Sequence, residues 1–133
     1  MKPLCIILSL LIGYTFNSMQ PLNNIYKIID KANKCQILTE NEMYILLNSY
    51  KTDVNNVELS QYRAYGISSI AQNRKNSKTL LHILKNNPHL FNEKICWDMA
   101  FSEEIEQVID NLKGIRGYRD IRFKILNKLQ LLR

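Results

Sequence analysis

Apolar residues recur along most of this chain at intervals of three and four, and no stretch alternates with period two for long enough to make a strand. Side chains three and four apart share one face of a helix, whereas in a strand every second side chain faces the same way. The spacing therefore predicts an all-α fold, a compact bundle of five to six short amphipathic helices. No Asn-Gly or Asp-Gly pair offers a tight hairpin. The length of 133 residues suits one domain, and 46% hydrophobic residues with only 4 glycines and 3 prolines are enough for a core and exclude a disordered or collagenous chain.

The helix boundaries follow from capping chemistry. Pro21 suits a first helical position, with Leu22, Ile25, Tyr26 and Ile29 on one face and an end near Asn33. Thr39 and Glu42 make a capping-box pair, Leu38 and Met43 a hydrophobic staple, and Met43, Leu46, Leu47 and Tyr50 a stripe. A loop is expected over 51–56. A third helix follows with Leu59, Tyr62, Gly66, Ile67 and Ile70, its glycine costing about 1 kcal/mol relative to Ala unless another backbone packs there.

A turn is expected over 72–76, then a helix capped by Ser77 that carries Leu80, Leu81, Ile83 and Leu84 and stops before Pro88. Asn87-Pro88 should open a helix holding Leu90, Phe91, Ile95 and Met99. Ser102 is placed to cap the next, with Ile105, Val108, Ile109 and Leu112 inward and Gly114 as its stop. The last runs from about Tyr118 to Leu132 with Ile121, Ile125, Leu129 and Leu132 on one side.

The N-terminus carries a different signal. Lys2 is followed by Leu4, Cys5, Ile6, Ile7, Leu8, Ser9, Leu10, Leu11 and Ile12, then by Gly13 and more polar residues. A basic start, a short apolar run and a small-residue exit describe a secretory signal peptide, and the run is shorter than the roughly 20 residues of a membrane span. The expectation is a signal over 1–18 and a single secreted helical domain over 19–133. Cys5 would leave with the signal, so Cys35 and Cys96 remain as a pair for one disulfide in an oxidising compartment. Closing a loop of about 60 residues would contribute roughly 4 kcal/mol on the chain-entropy model.

Little in the chain has the pattern of catalysis. His82 and His89 belong to no zinc motif, and His89 with Glu93 supplies only two ligands on one helix face. Glu103, Glu104, Glu106 and Asp110 lie close together, but a solvated helix face with two acids near its positive end explains them. A Cys96 nucleophile would need an unbridged, activated thiol. No catalytic residue, metal or cofactor is expected, and the protein is read as a non-enzyme.

The net charge of +6 is concentrated near the C-terminus. Lys113, Arg116, Arg119, Arg122, Lys124 and Lys128 form the candidate partner-binding patch. On a helical wheel Arg119, Arg122 and Arg133 flank one edge of the apolar stripe and Lys124 and Lys128 the other, which suits a helix in a partner's groove or on an anionic membrane. Long basic side chains bordering an ordinary core helix look the same.

The segment Leu112-Lys113-Gly114-Ile115-Arg116-Gly117 resembles the turn of helix-hairpin-helix DNA-binding motifs, whose glycines free backbone N–H groups to meet phosphate, and is similar to the GxxG loop of KH domains. The resemblance covers about twenty residues; the glycines stand one position further apart than the usual hairpin spacing, and the strands of a KH fold are missing.

The composite expectation is a secreted helical interaction protein that binds an extracellular receptor or target, or an anionic membrane surface. It resembles in broad design the helical-bundle cytokines and small released effectors, a likeness of architecture that transfers no residues. The alternatives are an extracellular carrier of a small apolar ligand, which needs a cavity, and a nucleic-acid-binding domain using the Gly114 to Gly117 turn. An exported chain weighs against nucleic acid.

Overall fold

The computed structural model describes residues 20–133 other than Ser102, with side chains from Asn24 onward. The signal expected over 1–18 and the Ser102 cap lie outside the described residues. Within them the chain forms α1 (Gln20–Asn33), α2 (Glu40–Thr52), α3 (Val57–Gln72), α4 (Arg74–Asn86), a single 3-10 turn (Pro88–Leu90), α5 (Glu93–Met99), α6 (Ile105–Lys113) and α7 (Arg119–Leu132), and no strand. The all-helical bundle is as expected, with seven α-helices rather than five to six.

The extra helix comes from a break that the Asn87-Pro88 signal conceals. Pro88 starts only one 3-10 turn, Asn87 spends its side-chain amide on Ile83 O at 2.9 Å, and Phe91 is extended. Asn92 is the working cap, its Oδ1 accepting from Lys94 N at 2.9 Å, so α5 begins afresh at Glu93. The turn expected over 72–76 shrinks to Asn73 alone. Its N–H closes α3 on Ile70 O at 3.1 Å, and its Oδ1 accepts from Asn76 N at 3.0 Å to open α4. Ser77, expected as that cap, is instead buried inside α4 and donates to Ile70 O at 2.8 Å.

Other termini follow the residues. Thr39 and Glu42 form the reciprocal capping box, with bonds of 2.9 and 3.1 Å, and Leu38 and Met43 both enter the core. Helix α1 ends in a Schellman arrangement, with Gln36 N bonded to Lys31 O at 2.9 Å and Cys35 N to Ala32 O at 3.0 Å. Cys35 occupies the left-handed position, φ 59°, where glycine is usual.

Helix α3 is the centre of the bundle and packs on α1, α4, α5 and α6, while α7 closes over α4, α5 and α6. Gly66 lets α1 approach, because a Cβ there would stand 3.0 Å from Ile29 Cγ2, and Ile29 is fully buried. The α1–α3 contact also carries a Tyr62 hydroxyl donating to Asp30, and Lys31 reaches Glu42 of α2 at 2.9 Å. Gly66→Val is expected to lower the unfolding free energy by about 1 to 3 kcal/mol through overpacking against Ile29. Urea denaturation reads this directly, and an unchanged midpoint would mean that α1 retreats freely.

Polar groups are also held inside, Asn76 and Arg63 among them. Asn76 is fully buried and clamps the α1–α2 connection, accepting from Leu38 N at 2.9 Å and donating to Gln36 O at 2.9 Å. Arg63 of α3, 1% exposed, donates to Ser49 Oγ at 2.9 Å and lies 3.9 Å over the Tyr50 ring. Tyr50 in turn donates its hydroxyl to Asp98 Oδ2 at 2.5 Å, which joins α3, α2 and α5 through one chain of contacts.

Candidate functional site

The two cysteines do not form the expected bridge: both are free thiols. Cys35 is exposed at the corner after α1, which packs chiefly on α2 and α3, whereas Cys96 is buried on α5. Burial and the neighbouring Glu93 push the Cys96 thiol up to about 11, outweighing Lys128 and Lys124. Such a thiol is a core group and a poor nucleophile.

The acidic residues Glu103, Glu104, Glu106 and Asp110 are all exposed, and Glu106 meets Arg133 at 3.2 Å. His89 and Glu93, read from sequence on one helix, fall on separate elements, the 3-10 turn and α5. His82 stands 3.5 Å from Glu40.

The glycine turn is built differently from a phosphate-binding hairpin. Gly114 is right-handed, φ −78°, and its N–H bonds back to Asp110 O at 3.1 Å and Asn111 O at 3.2 Å. Arg74 covers it, donating to Gly114 O at 3.0 Å and Asn111 Oδ1 at 2.8 Å. The left-handed residues come later, Gly117 at φ 86° and Tyr118 at φ 52°. A left-handed conformation costs a non-glycine residue roughly 1 to 2 kcal/mol and is unusual for a bulky one. Strain of this kind gathers at binding sites, where the surroundings hold it in place.

Tyr118 and the start of α7 border a cleft of 440 Å³, open to solvent. Leu84, Pro88, Phe91 and Ile121 supply its apolar part, and Lys85, Arg119 and Lys124 its cations, against the single carboxylate of Asp120. Four consecutive residues, 118–121, line it, so the cleft wraps the end of the helix rather than one side. This is why Arg119 shares it with Lys124, although the wheel places them on opposite edges. No side chain caps α7, leaving first-turn N–H groups and the positive end of the helix at this place.

The cations rest on aromatic rings. Lys124 Nζ lies 4.1 Å from the Phe91 centroid and Lys85 Nζ 5.8 Å from that of Tyr118, while Arg119 and Arg122 stand 5.4 and 5.2 Å from Phe123. Among the described residues, no carboxylate is within ion-pair distance of Lys85, Arg119 or Lys124. Of the other expected patch members, Lys113 and Arg116 are exposed beside α7, Arg122 bonds Gly117 O at 3.1 Å, and Lys128 meets Glu93 at 3.5 Å.

No family model, curated protein or solved structure matches this chain. Its functional reading accordingly rests on the chemistry of the cleft. Sequence reasoning found Arg119 and Lys124 but missed Lys85, Phe91 and Tyr118, which reach the site from three different segments. Only Tyr118 left a trace, through its place after Gly117.

Proposed function

We propose that the protein is a small secreted helical binding module that holds an acidic extracellular protein against the basic face of α7 and its cleft, without catalysis. The observation that carries this reading is the set of cations, Lys85, Arg119 and Lys124, gathered around an apolar hollow and resting on rings instead of carboxylates. Exposed cations held over aromatic faces keep their charge available to an incoming anion, and Arg and Tyr are residue types that anchor interfaces. The N-terminal sequence pattern supports the extracellular setting.

The test is retention of extracellular proteins on immobilised protein. Changing Arg116, Arg119 and Arg122 together to alanine is expected to reduce retention about tenfold or more with the helical circular dichroism unchanged, and added salt to weaken what remains. Equal retention by the variant would remove this face from consideration.

A further inference from the structure

We infer that the cleft is one end of a longer groove that takes an acidic, amphipathic segment of a partner protein. This rests on the binding role proposed above and specifies what is bound and where. A second hollow of 290 Å³ lies along α7 and is lined by Glu93, Asn127, Lys128 and Leu131. It shares Phe91 and Lys124 with the first, so the two form one furrow with those residues at its waist. From Arg119 to Leu131 the furrow follows α7 for about 18 Å, a run that fits roughly twelve helical residues or six extended ones.

The chemistry alternates along this length. Leu84, Pro88 and Ile121 make an apolar well at the Arg119 end, and Leu131, 82% exposed, supplies an apolar contact at the other. Lys124 stands between them and Lys128 beyond it. An occupant that presents apolar side chains at both ends and carboxylates between them meets the two apolar ends and the cations Lys85, Arg119 and Lys124. These are unpaired among the described residues and outnumber the Asp120 carboxylate beside them, while Lys128 is already paired with Glu93. A small molecule fills one hollow and leaves the other empty. An anionic bilayer matches less well, because Leu84 of the first hollow is buried and Phe91 and Ile121 are half-buried, within reach of single inserted side chains rather than of a flat surface. Binding in a groove by spaced apolar anchors is a common mode of peptide recognition, and charge complementarity sets its partner choice.

Selection of random displayed peptides of about twelve residues on the immobilised full chain at low salt tests the inference, followed by fluorescence anisotropy of the enriched peptides. The enriched sequences are expected to carry Asp and Glu between apolar positions. Lys124→Glu, and more mildly Lys124→Ala, should weaken them, the first by about tenfold or more, whereas Lys75→Glu on the exposed side of α4 should change affinity less than about twofold. Helical circular dichroism of each variant checks the fold, and Lys124→Ala serves if Lys124→Glu does not fold. Three results would overturn the groove: no acidic enrichment, equal losses at Lys75 and Lys124, or tighter and Lys124-independent binding to phosphatidylserine-containing vesicles than to any peptide. If retention of extracellular proteins depends on the three arginines while the peptides ignore Lys124, the groove falls and the binding role stands.

Discussion

Asp98→Ala is expected to remove about 3 to 5 kcal/mol of stability, a large part of what a domain of this size has. The Tyr50 hydroxyl would lose its acceptor and the buried Arg63 its nearby negative charge, while the Nε of Arg63 already has no hydrogen-bond partner among the described residues. Asp98→Asn, which keeps an oxygen for Tyr50, should cost less. Joint replacement by Arg63→Met, Tyr50→Phe and Asp98→Leu should recover much of the loss, since an apolar cluster needs no compensating charge. Urea titrations of the three variants decide the matter, and a loss below about 1 kcal/mol in Asp98→Ala would show that the network is not a keystone of the core.

The pH dependence has a definite sign. Burial raises the Asp98 carboxyl above its ordinary value, against the opposing pull of the Tyr50 hydrogen bond, Lys94 and Arg63. With a folded pKa above the unfolded one, proton uptake favours the folded state, so the contribution of Asp98 increases as pH falls through its folded pKa. Acid unfolding must come from other carboxylates.

The second large effect is in thiol reactivity. In the native protein Cys35 should react with a thiol reagent within the time of mixing, whereas Cys96 should react only on unfolding. The difference amounts to several orders of magnitude in rate at neutral pH, because Cys96 is both buried and held at about 11. Peptide mapping after labelling in buffer and in denaturant checks it. Equal native labelling of both cysteines would contradict the packing of α5 against α7.

What was legible in the sequence depended on how local its cause was. The capping box at Thr39 and Glu42 and the stripe of Met43, Leu46, Leu47 and Tyr50 involve neighbours on one helix, and they appear where the pattern puts them. The break at Phe91 was hidden because Asn87 and Asn92 are both good caps and only packing selects between them. Arg63 reads as a surface residue, yet it is buried because Ser49, Tyr50 and Asp98 reach it from two other helices. The expected Cys35 and Cys96 bridge failed for the same reason, since a pair count carries no distances. In the binding patch the cations were visible, but the rings of Phe91 and Tyr118 that hold them come from segments whose neighbourhood only the fold creates.

The single-residue joint at Asn73 also limits how the chain can change in length. An inserted residue there would turn α4 by about 100° about its axis and swing Leu80, Leu81 and Leu84 from the core toward water. Asn73 could not then close one helix and open the next with the same backbone and side chain. The loop at 53–56 connects α2 and α3 through several residues and has slack to absorb an insertion, whereas 114–118 is held by Arg74 on Gly114 O, by buried Ile115 and by Tyr118 in the cleft. Tags, labels and length variation therefore belong at 53–56, and the α3–α4 corner should be among the parts of the molecule least able to accept them.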